Sequence, residues 1–145
     1  MFFQRPVLVV DDDVAVCMFM QHVLETHAYR VLTAHSGGEA LKMIRNHGRE
    51  LRLLVTDVLM PDMNGPSLAQ AAERLFPGLP VLYVSGYVGD ERDHMEERAW
   101  LEKPFTISQL LERVKALALP DPSPRPSISS RDEIGTSAEI GISSR

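Results

Sequence analysis

Short apolar runs rich in β-branched residues recur along the chain at Val7 to Val10, Arg30 to Ala34, Leu53 to Thr56, Val81 to Val84 and Ala99 to Glu102, and each reads as a strand. The intervening segments change period. In the first, Val16, Met20, Val23 and Leu24 mark the core face of a helix, and in the second Ala40, Leu41 and Ile44 do the same. Ser36 with Glu39 and Thr106 with Gln109 have capping-box spacing, in which each side chain satisfies a backbone donor left free at a helix start. Pro66 after Gly65 marks another start, because a first-turn proline forfeits no helical hydrogen bond. The last helix runs from Ile107 to Leu117. Strands that are almost wholly apolar and alternate with helices predict a parallel sheet covered on both faces. The fold class is therefore α/β, with a doubly wound sheet of five strands. Ligands of such sheets bind beyond the carboxyl ends of the strands, near the point where strand order reverses. Asp11 to Asp13, Asp57, Ser85 and Lys103 stand at those ends.

From Pro120 onward the apolar periodicity stops, and this stretch holds four of the ten prolines. Residues 1–119 are predicted to form one domain, and 120–145 a disordered Pro/Ser-rich tail or linker. A length of 145 residues with 44% hydrophobic content is enough for one buried core. The net charge of −5 leaves no basic footprint, so neither nucleic acid nor an anionic membrane is an expected partner. Cys17 is the one cysteine, which excludes an internal disulfide, and its place on the first helix suits a small apolar residue. The opening MFFQRPVLVV is too short an apolar run for a signal peptide or membrane span, so a cytoplasmic location is expected. His22, His27, His35, His47 and His94 lack metal-ligand spacing and are expected at the surface, while Met60 and Met63 are expected to pack the turn around Pro61.

Consecutive carboxylates after a buried strand, with Asp57 ending another strand, call for a positive partner. Mg²⁺ fits that need, since it takes oxygen ligands, accepts one or two carboxylates and keeps room for phosphate oxygens. Asp13 is expected to cap the first helix. Ser85 and Lys103 add a hydroxyl and a fixed cation, and together these groups have the composition of a phosphoryl-transfer site with a carboxylate nucleophile.

The segments VLVVDDD, LLVTDVLMPDMNG, VLYVSGY and LEKPF, in this order, resemble the signatures of response-regulator receiver domains over residues 6–118. The resemblance implies a flavodoxin-like (βα)5 fold with strand order 2-1-3-4-5. It implies that Asp57 accepts a phosphoryl group from the phosphohistidine of a sensor histidine kinase or phosphotransfer protein, in a Mg²⁺-dependent reaction that the domain itself catalyses, and that a downstream protein reads the result. Asp12 would bind the metal directly, Asp11 through water, and Leu59 through its backbone carbonyl. Ser85 matches the family's hydroxyl position, Lys103 its lysine, Lys103–Pro104 its cis bond and Trp100 its switch aromatic, where tyrosine or phenylalanine is usual. By the same resemblance, Ser85 moves toward the phosphoryl group and the aromatic rotates inward. Between Ser85 and Lys103 the chain is shorter than usual by about four residues, roughly one helical turn, which leaves Asp90 to Arg98 for the helix expected there. The SGY segment and LEKPFTISQLLERV are most similar to receivers of hybrid sensor histidine kinases.

Two other readings exist. A haloacid-dehalogenase-like phosphatase shares Asp11 with Asp13, Ser85 and a G-D-x-x-D segment at Gly89 to Asp93, but its lysine precedes that segment whereas Lys103 follows it. It also gives Asp57 no purpose. A degenerate receiver that only binds partners would not need acceptor, metal, hydroxyl and lysine positions all filled by suitable residues.

Overall fold

The computed structural model describes residues 4–86 and 99–121. The described elements are β1 (Val7–Val10), α1 (Val14–Thr26), β2 (Val31–Ala34), α2 (Gly37–His47), a 3-10 turn (Gly48–Glu50), β3 (Leu53–Asp57), α3 (Gly65–Leu75), β4 (Val81–Ser85), β5 (Trp100–Glu102) and α4 (Ile107–Leu117). All strand pairs are parallel, in the order β2-β1-β3-β4-β5. The order reverses between β1 and β3, whose carboxyl ends carry Asp11 and Asp57. The sequence placed Asp57 and Ser85 just past their strands. Instead the ladder runs one residue further, pairing Asp57 with Val84 and Ser85 with Glu102, so both side chains stand on ordered strand backbone. β2 and β5 start one residue later than expected, at Val31 and Trp100.

Alternation along the strands divides the core in two. Val7, Val9, Leu53, Val55, Leu82 and Val84 face α1 and α4, where Met20, Leu24, Leu110 and Val114 meet them. Leu8, Val10 and Leu54 face α2 and α3, meeting Ala40, Ile44, Leu68 and Ala72. On α1 the buried face centres on Cys17 with Met20, Val23 and Leu24, while Val16 is only half-buried. Burial holds the Cys17 thiol up at about 11, as suits a packing residue. The four described histidines are exposed. Met60 is buried, and Met63 packs partly buried against the same cluster.

Helix starts follow the expected chemistry with one exception. Thr106 and Gln109 form the reciprocal capping box of α4. Ser36 accepts from the Glu39 amide, but the Glu39 carboxylate reaches back one residue further, to the His35 amide. Asn64 caps α3, with Pro66 in its first turn. After α4 the chain stays attached. The Leu119 amide donates to the Arg52 carbonyl, and the Asp121 carboxylate accepts from the Arg5 amide and pairs with Arg52 at 3.3 Å. The helix expected at Asp90 to Arg98, together with His94, lies outside the described residues, as does the tail from residue 122. Among the described residues, no helix is long and apolar enough to cross a membrane.

Candidate functional site

β1 is followed by Asp11, which is fully buried, and two contacts explain how a carboxylate is tolerated there. Its Oδ1 accepts from the Asp13 amide at 2.9 Å, and its Oδ2 pairs with the Lys103 ammonium at 3.0 Å. Buried charges persist when paired and hydrogen-bonded in this way. Asp12 follows and is exposed. Asp13 turns away to cap α1, accepting from the amides of Ala15 and Val16, as the sequence predicted.

Asp57, at the end of the neighbouring strand, is 8% exposed. Its Oδ1 accepts from the Val58 amide at 2.9 Å and lies 3.6 Å from Lys103 Nζ. One carboxylate oxygen each from Asp11, Asp12 and Asp57 lie within 4.8 Å of one another. Burial first, and then the charge of Asp11, push the Asp57 carboxyl up to about 6, against the pull of Lys103 and the Val58 amide. Burial acts to lower the Lys103 ammonium, but its hydrogen bond and attraction to Asp11, with Asp57 beyond, outweigh that and raise it. The site is an excess of negative charge held by one lysine, the setting in which a hard cation binds. The three carboxylates are suitable donors for a divalent ion.

Ser85 is 1% exposed at the end of β4, and its carbonyl accepts from the Lys103 amide, tying β4 to the lysine-bearing turn. The Lys103–Pro104 bond is cis, as expected. Leu59 is exposed in the loop from β3 to α3, whose ends are drawn together where the Gly65 amide donates to the Val58 carbonyl. Only glycine fits at position 65, because a Cβ there would lie 2.5 Å from the Asp57 carbonyl oxygen. Trp100 occupies the position of the family's switch aromatic. It is already inside at 2% exposure, its ring 6.3 Å from that of Tyr83, which is its partner in the sheet ladder.

Two features escaped the sequence reading. Asp62, in the same loop, spans to α2, where its carboxylate accepts from the amides of Gly37 and Gly38. Besides this, Val14, Met18 and Phe19 of α1 and Ile107 of α4 are exposed apolar residues. Phe19 and Phe105, with ring centroids 6.1 Å apart, help line a groove of about 470 Å³ that also includes Lys103 and Pro104. The signal for this surface was present in VAVCMFM, seven apolar residues in succession, more than one helix face can bury. A second cavity of about 370 Å³, lined by Arg5, Leu51, Phe76 and Leu79, lies among residues that precede the strands and has no part in the carboxylate cluster.

Comparison with known proteins agrees with this geometry. The family described as response regulator receiver domain matches residues 7–115. The sensor kinase CckA of Brucella abortus is 36% identical over 115 residues, which cover 77% of this chain and 12% of that protein. The response regulator MprA of Mycobacterium ulcerans is 35% identical over 120 residues, 77% of this chain and 49% of that one. The chain thus spans half or less of the length of these relatives. Among solved structures, the response regulator TrrA of Thermotoga maritima in complex with Mg(2+)-BeF superposes with a TM-score of 0.69 at 26% identity, covering 79% of this chain and 99% of that one. Nothing in these comparisons favours a haloacid-dehalogenase-like phosphatase. Its required Asp11–Asp13 pair is also divided in the structure, because Asp13 is spent on the helix cap, and Gly89 to Asp93 lie outside the described residues. With four strand-end motifs, the sheet order and a family match that covers most of the described residues all in agreement, the chain belongs to the response regulator receiver domain family.

Proposed function

We propose that Asp57 accepts a phosphoryl group from the phosphohistidine of a sensor histidine kinase or phosphotransfer protein, and that the chain itself catalyses this transfer and the later hydrolysis. The observation that carries the reading is the convergence of one carboxylate oxygen each from Asp11, Asp12 and Asp57 within 4.8 Å, with the Lys103 ammonium 3.0 Å from Asp11 Oδ2 and 3.6 Å from Asp57 Oδ1. These carboxylates with the Leu59 carbonyl would hold Mg²⁺, and the Mg(2+)-BeF complex of TrrA supports Mg²⁺ as the ion. When bound, the ion supplies charge neutralisation for phosphoryl oxygens.

The chain's own groups do the rest. An Asp57 carboxylate oxygen attacks phosphorus, the bond from phosphorus to the donor imidazole nitrogen breaks, and that nitrogen keeps the electron pair. An aspartyl phosphate and a free imidazole result. Lys103 stays charged through its pairing with Asp11 and neutralises a phosphoryl oxygen. Ser85 donates a hydrogen bond from its hydroxyl to another oxygen, and its carbonyl link to the Lys103 amide carries that change toward β5 and Trp100. Because Trp100 is already inside, the output on this reading arises from movement around Ser85 rather than from inward rotation of the indole.

Exposed Phe19, in the groove that includes Lys103, supports the partner reading, since a donor delivering to Asp57 must rest on what flanks Lys103. Similarity to the sensor kinase CckA and to the receiver domain of the hybrid histidine kinase CckA supports a place in a hybrid kinase, and a cytoplasmic location is part of the same proposal. Incubation with acetyl phosphate tests the chemistry. The expected product needs Mg²⁺ and is cleaved by hydroxylamine, as an acyl phosphate is. A phosphoryl group that resists hydroxylamine, or forms equally in excess chelator, contradicts the proposal.

A further inference from the structure

We infer that Asp62 is a positioning residue for the metal site: by holding the loop from β3 to α3 against the start of α2, it fixes the segment that carries Leu59. The inference rests on the reading of Leu59 as a metal ligand given above. Helix α2 begins with four amides that lack helical partners. Its cap residue Ser36 serves only the Glu39 amide. The Gly37 and Gly38 amides are instead taken by the two oxygens of Asp62, at 3.1 and 2.9 Å, across 25 and 24 residues of sequence. These amides, Gly38 first, hold the exposed Asp62 carboxyl below the usual carboxylate range. Glycine at 37 is what lets the loop come so close, because a Cβ there would lie 2.7 Å from Met63 Cβ.

Apolar contacts hold the rest of the loop, including Met63 against Gly37. Val58 and Met60 are buried, and the Gly65 amide closes the loop on the Val58 carbonyl. Leu59 itself is 57% exposed, so its side chain anchors nothing and its carbonyl is placed by its neighbours. Asp62 supplies the polar fixation on the α2 side. A residue that orients a ligand in this way typically costs 10-fold or more in metal affinity when removed.

The test is Mg²⁺ titration by calorimetry in buffer of physiological ionic strength, where exposed charges are screened beyond about 8 Å. Asp62→Ala is expected to raise the Mg²⁺ dissociation constant by roughly 10-fold. Asp62→Asn, which keeps an acceptor oxygen for α2, is expected to stay much closer to wild type. Ser36→Ala removes the other cap of the same helix without touching the loop, so it should lower the melting temperature and leave Mg²⁺ affinity unchanged. Asp62→Ala binding like wild type overturns the inference, as does Ser36→Ala weakening Mg²⁺ equally. Equal weakening by the Asn and Ala variants would assign the effect to charge and also overturn it. Failure of the wild type to bind Mg²⁺ would remove the metal reading and this inference together.

Discussion

Replacing Asp57 by asparagine should stabilise the metal-free protein. The carboxyl is 8% exposed, and burial with the charge of Asp11 pushes it up to about 6 from an ordinary 3.8. Between these values the unfolded chain gives up its proton while the folded chain keeps it, so stability falls as pH rises. Above pH 6 both states are ionised, and the folded state carries the full penalty of roughly 3 kcal/mol. Asparagine mimics the protonated acid and keeps an oxygen for the Val58 amide. Urea unfolding in chelator at pH 7.5 should therefore show Asp57→Asn more stable by roughly 2–3 kcal/mol, and by about half as much at pH 5. Excess Mg²⁺ should shrink the difference, because it binds the folded wild type and raises its stability alone. A variant less stable than wild type at pH 7.5, or a gain that does not change with pH, refutes the electrostatic account of the site.

Asp13→Ala should cost about 1 kcal/mol in denaturant melts through loss of the α1 cap and leave Mg²⁺ affinity unchanged, whereas Asp12→Ala should do the reverse. Phe19→Ala should slow phosphotransfer from a protein donor several-fold, seen as loss of label from its histidine, without altering the rate with acetyl phosphate. A chain ending at Leu119 loses the Asp121 contacts with Arg5 and Arg52 and should melt slightly lower, by the 0–1 kcal/mol of an exposed pair, while one ending at Asp121 should melt like the full chain.

The sheet was legible because each strand is a short apolar run and each helix has its own period, and the Asp, Ser and Lys at the strand ends pointed to side chains that the structure gathers at one end of the sheet. What the sequence hid were pairings set by tertiary geometry. Nothing local links Asp62 to Gly37, since their contact joins the loop after β3 to the start of α2. Glu39 stood at capping-box distance from Ser36, yet its carboxylate reaches the His35 amide, a difference of one residue that only backbone geometry decides. The role of Arg52 was equally hidden. It stacks over Tyr29 while its Nε donates to the Leu119 carbonyl, so the packed chain continues past the last helix to Asp121. The exposed apolar face of α1 could have been found by counting, because VAVCMFM overfills a single core stripe.

The most direct test of the central claim is intact-mass spectrometry after incubation with Mg²⁺ and acetyl phosphate. Wild type is expected to gain one phosphoryl group, and Asp57→Asn to gain none although it remains folded and at least as stable. Equal labelling of the Asp57→Asn protein would contradict the assignment of Asp57 as the acceptor.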